Sequence, residues 1–172
     1  MVQELIDLRK SIVEGRYDQA LAIVDDLECM SRKGILRNIK SYLVRILIHL
    51  IKNAIEQRLT NSWAASIRYS LLEIQDLNLM ENQSSFYIKP DQWSDFLQTS
   101  LETALVAASA EVANGIYKPQ QLRAKLNLSE LLEISQHLLI LTQTHTLSEL
   151  QTAIDQEFSQ LPGGEDWNFE QN

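Results

Sequence analysis

Four residues in the middle of this sequence carry the side chains best suited to chemistry. Arg45, His49, Lys52 and Glu56 recur at spacings of 4, 3 and 4. Such spacing stacks them on one face of a helix. Imidazole beside two cations should titrate low, because like charges disfavour its protonated form. A short polar connection follows, and a second helix opens with Trp63 and then Arg68. Antiparallel pairing through that connection would bring Arg45, His49, Lys52, Trp63 and Arg68 to one polar groove. Lys52 and Arg68 would bind an anion there, and neutral His49 could move a proton. The alternative is plainer: both cations meet internal carboxylates, and the stripe is a solvated helix face.

No nucleophile or metal set completes this groove, so no catalytic residue is assigned. The sequence has no Gly-rich phosphate loop, no His-Glu-x-x-His, no nucleophile elbow and no zinc spacing. Cys29 is the only cysteine, which excludes an intramolecular disulfide and a cysteine-held metal. Asp25, Asp26 and Glu28 lie close together and read as a solvated helix face rather than a Mg²⁺ site. No cofactor is expected.

The groove depends on the stretch 31–56, SRKGILRNIKSYLVRILIHLIKNAIE. Leu36, Ile39, Leu43, Ile46 and Leu50 follow helical spacing, and Tyr42, Leu47, Ile48, Ile51 and Ile55 widen the apolar surface. A helix this apolar must be covered on two or three sides. The spacing predicts a spine helix capped at Ser31, with the helix of residues 63–79 antiparallel to it. Before it, residues 2–13 read as a short helix with Leu5, Leu8 and Ile12 inward, ended by Gly15. A second helix starts near Tyr17. Beyond ENQSSFYIKP, helices are expected at 91–114, at 128–141 behind Asn127 and Glu130, and after Thr146 and Glu149.

The reading is therefore an all-α, single-domain bundle of about six or seven helices around a buried central helix. It spans residues 1–161, with an acidic C-terminal tail at 162–172 that orders only if Trp167 and Phe169 dock. With 172 residues, 45% of them hydrophobic, and only 5 Gly and 3 Pro, one helical domain with short connections is the natural outcome.

Charge narrows the functions. The formal net charge is -8. Residues 31–68 nonetheless hold eight cations against Glu56 alone, a local +7, leaving -15 elsewhere. A basic region can bind nucleic acid. Few aromatics are interleaved with these cations and the overall charge opposes polyanions, so nucleic-acid binding is not expected. No run is apolar enough to span a membrane, and a cytoplasmic location is expected. A protein–protein interaction or scaffold module fits best. Either the Ala-rich helix 101–113 or the Leu-rich helix 128–141 offers a homodimer surface, or the partner is another protein.

Some short elements resemble a known family. They are Gly15-Arg16-Tyr17, Leu27-Glu28-x-Met30-Ser31-Arg32, Leu47-Ile48-His49-Leu50-Ile51-Lys52 and Asn61-Ser62-Trp63-x-x-Ser66-Ile67-Arg68. In this order, over roughly residues 15–80, they resemble the bacterial domain of unknown function 29 family, which is abundant in cyanobacteria. The resemblance implies an all-helical fold and supplies no activity. It singles out His49, Lys52, Trp63 and Arg68 as positions to mutate first.

Overall fold

Scarce proline and glycine leave few places where a helix can stop, and the computed structural model, which describes residues 1–167, is built accordingly. Seven α-helices follow in order: α1 (Val2–Val13), α2 (Tyr17–Glu56), α3 (Asn61–Asn78), α4 (Trp93–Glu111), α5 (Pro119–Lys125), α6 (Leu128–Thr144) and α7 (Leu147–Gln160). Single 3₁₀ turns lie at Pro90–Gln92, Val112–Gly115 and Glu165–Trp167. Among the described residues the only β-pairing is an isolated antiparallel bridge between Leu79 and Phe86. The fold is all-α, as the periodicity predicts.

The spine helix differs from expectation at its start. Ser31 caps nothing, because α2 runs unbroken from Tyr17 to Glu56 over 40 residues. Nothing between Leu27 and Leu36 forbids helical backbone. Gly34, with open space around it, costs only about 1 kcal/mol inside a helix, less than a break and two new caps.

The chain falls into two compact units, Met1–Asn38 and the chain from Ile39 onward. In the first, α1 turns through Gly15, at φ +72°, and meets the start of α2. The Arg16 N–H donates to the Ser11 carbonyl at 2.8 Å, closing the turn. The expected inward set of α1 is overturned: Leu5 and Ile12 are 53% and 51% exposed, while Ser11 is buried. Leu8, between them on the stripe, is half-buried, so the stripe lies largely open to solvent.

In the second unit Ile39, Leu43, Ile46, Leu47, Leu50 and Ile51 of α2 are fully buried, as a helix apolar on several sides must be. Thr60 caps α3 by accepting the Trp63 N–H at 3.1 Å. Tyr42 reaches Glu73 at 3.5 Å, while Lys52 lies over the Trp63 ring. Residue numbers thus fall along α3 as they rise along α2, so the two are antiparallel. Packing of α6 against α3, α4 and α7 completes this unit, and α4 also meets α5. Leu101, Ala104, Leu105 and Ala108 of α4 and Leu131, Leu138 and Leu139 of α6 are buried in this unit, while Val106 of α4 is 61% exposed.

Buried amides fasten the connections. Asn78 accepts the Ile88 N–H at 2.7 Å and donates to the Ile88 carbonyl at 2.9 Å. Gln143 donates to that same carbonyl and accepts the Trp93 indole N–H at 2.7 Å. Asn53, 2% exposed, donates to the carbonyls of Arg58 and Pro162 at 2.9 and 2.8 Å. Residues 162–167, expected to begin a tail, are therefore packed structure. Trp167 sets its ring edge-on to Phe158, with centroids 5.3 Å apart. Phe169 lies outside the described residues.

Candidate functional site

The α2 stripe is a real feature of the surface, graded in depth. Arg45 is exposed, and His49, Lys52 and Glu56 are half-buried. The partners of these residues divide the expected groove into separate places.

Lys52 lies where α2 passes the start of α3. Its Nζ contacts Glu111 Oε2 at 2.6 Å and sits 4.9 Å from the Trp63 ring centre. Arg58 approaches the same ring at 5.0 Å and pairs with Glu56 at 2.7 Å. Glu56 also accepts the Ala113 N–H at 3.2 Å, holding a backbone at φ +47° just beyond α4. Burial pushes the Glu56 carboxyl up. Arg58, the Ala113 N–H and Lys52 together outweigh that, so it titrates below the usual carboxylate value. Lys52, Trp63, Arg58, Glu56 and Glu111 form one locked cluster.

Arg68 is elsewhere. Five residues separate it from Trp63, a rotation of about 140° around the helix at 100° per residue. The Arg68 guanidinium pairs with Asp155 of α7 and donates to the Gln151 carbonyl at 3.2 Å. It lies 5.7 and 5.8 Å from the Phe158 and Trp167 ring centres. Arg45 stacks over Tyr42 at 5.5 Å. The structure brings Lys52 to Trp63 and takes Arg68 and Arg45 to other partners. An anion at Lys52 or Arg68 would have to displace a carboxylate.

The His49 pKa lies below the usual imidazole value. Burial depresses its pKa first, and Lys52 and Arg45 add to this, opposed by Glu111. The expected direction follows from the neighbouring cations, but desolvation leads. Its Nδ1 is buried with no hydrogen-bond partner, so nothing orients the ring as a base.

Thr144 Oγ1 lies 2.9 Å from His145 Nδ1 and also reaches the Ile140 carbonyl at 3.1 Å, so the hydroxyl is not dedicated to the imidazole. No group of three or more His, Cys, Asp or Glu is placed to hold a metal ion among the described residues. A cavity of about 240 Å³ lies beside Asn53, between Gln57, Lys125, Glu130 and Leu131. Asn53 spends its amide hydrogens on backbone carbonyls, and Glu130 accepts from Asn127 at 3.1 Å.

Sequence reasoning missed Glu111 and Asp155, whose pairing depends on helices far along the chain. It also missed the outward face of α1, where Leu5 and Ile12 are exposed. Among the described residues no helix is long and apolar enough to cross a membrane. Comparison with protein families, with curated proteins and with solved structures finds no match.

Proposed function

We propose that this chain is a non-catalytic protein–protein interaction module whose contact element is the hairpin of α1 and the start of α2. The supporting observation is an inversion of burial. Within Met1–Asn38 the only buried apolar residue is Ala20, while Leu5, Ile6, Ile12, Val13, Tyr17 and Leu21 are each at least half exposed. Thirty-eight residues with no core of their own need another surface to be stable, and a contiguous exposed apolar patch marks where it docks. From Ile39 on the chain buries its apolar faces in the ordinary way.

The resemblance of residues 15–80 to the domain of unknown function 29 family is compatible with this reading, since it implies helices and supplies no activity. Three cations of the basic 31–68 region, Lys52, Arg58 and Arg68, are neutralised by carboxylates within the chain, which favours a protein partner over nucleic acid or a small anion.

A photo-crosslinking residue tests the proposal in the native host. Benzoylphenylalanine replacing Ile12 should give a discrete adduct, and the same residue replacing the exposed Glu133 of α6 should give none. Absence of an adduct from position 12, or equal labelling from both positions, would overturn the reading.

A further inference from the structure

The hairpin's apolar side says that something covers it. The charge order along α2 says what. Leu21, Asp25, Cys29, Arg32 and Leu36 follow at spacings of 4, 4, 3 and 4, within about a quarter of the helix circumference. Leu21 is 62% exposed, Asp25, Cys29 and Arg32 are exposed, and Leu36 is half-buried. Along this stripe the order is apolar, acidic, centre, basic, apolar. Read backwards it becomes its own complement.

We propose that the hairpin docks on a second copy of this chain. In that dimer α2 packs antiparallel to α2 of the copy, about a two-fold axis passing between Glu28 and Cys29. This rests on the hairpin being the contact element and adds the identity of its occupant. About that axis Leu21 faces Leu36 of the copy and Asp25 faces Arg32 of the copy. Two-fold symmetry repeats both contacts on the other side, as an isologous interface requires. The neighbours Asp26 and Lys33 carry the same signs as Asp25 and Arg32 and reinforce the pattern. A parallel arrangement would set acid against acid and base against base, which is repulsive.

Two further observations support a second copy. Among the described residues neither Asp25 nor Arg32 has an ion pair within the chain, so their charges are unspent. Residues 1–38 hold seven acidic and six basic side chains, so two hairpins can approach at a net -1 each despite the -8 of the whole chain.

A charge swap in the full-length protein tests the pairing by sedimentation equilibrium over a wide concentration range. Asp25→Arg alone and Arg32→Asp alone each set like charges across the axis and should raise the dimer Kd about tenfold or more. The double variant Asp25→Arg/Arg32→Asp restores opposite charges and should return Kd to within about threefold of wild type. A short bismaleimide should join Cys29 to Cys29 of the copy in the wild type and the double variant, and poorly in the single ones. A strictly monomeric wild type would overturn the proposal. So would a dimer indifferent to the single reversals, or a double variant no better than the single ones. If the wild type is monomeric while position 12 still crosslinks a different protein in the native host, the second copy is wrong and the interaction reading stands. If position 12 gives no adduct at all, both are wrong.

Discussion

Gly163 is a position where one added carbon should be costly for two separable reasons. It sits at φ +70°, and a Cβ there would lie 2.7 Å from Arg58 Cα and 2.9 Å from Leu59 N. Both are backbone atoms, and Asn53 holds this contact from below by donating to the Arg58 and Pro162 carbonyls. Gly163→Ala therefore incurs two costs. Left-handed backbone with a side chain costs about 1–2 kcal/mol. Forcing a carbon into a packed contact costs about 1–3 kcal/mol more. The sum, roughly 2–5 kcal/mol, corresponds to about 5–15 °C in Tm for a chain of this size. Gly163→Asn separates the two, since asparagine tolerates positive φ but still brings a Cβ. It should recover at most the conformational part. Gly34→Ala is the opposite case: with nothing within 4 Å in a helix, it should stabilise the helix by up to about 1 kcal/mol. Thermal melts followed by circular dichroism measure all three. A Gly163→Ala protein within a degree of wild type would refute the close approach. Full recovery by Gly163→Asn would reduce the effect to backbone conformation alone.

His49 and Asn78 give two more tests. Because the folded pKa of His49 lies below its usual 6.5, the unfolded chain takes up a proton first as pH falls. Stability is therefore complete above about pH 6.5 and declines as pH drops toward the folded value. Urea midpoints at pH 7.5 and 5.5 should differ less for His49→Gln than for wild type, and an equal difference would show that His49 is not the group responsible. Asn78→Leu removes the acceptor of the buried Ile88 N–H and should cost about 1–3 kcal/mol, with faster proteolysis between residues 80 and 87. Unchanged cleavage there would mean that Gln143 alone holds the loop.

Local devices were legible in the sequence because their partners are three or four residues away. Asn127 accepts the Glu130 N–H, Glu149 accepts from the Thr146 N–H and hydroxyl, and Gly15 turns at positive φ. The buried face of α2 from Ile39 to Ile51 was legible because almost any packing must cover a helix that apolar. The continuity of α2 was not, since Ser31 caps helices and also sits quietly inside them. The direction of the α1 stripe was not either: periodicity shows that a stripe exists, not which partner covers it. The candidate groove failed to assemble for a related reason. Spacing set Arg45, His49 and Lys52 on one face, but Glu111 and Asp155, decided by the packing of α4 and α7, chose where the cations go. Asn53 and Asn78 look like surface residues by type, and only the carbonyls they meet reveal their role.

The clasp at Asn53 also orders events in time. Its amide waits for a carbonyl 109 residues further on, which at about 5–20 residues per second leaves the ribosome roughly 5–20 s later. Until then the loop after α2 has no lock, and α2 from Ile39 on, the most apolar stretch of the chain, is already in solution. The growing chain is thus most vulnerable while its last two helices are being made. A nascent chain stalled before Pro162 should engage chaperones and be cut after Glu56, and one stalled with residue 167 clear of the tunnel should resist.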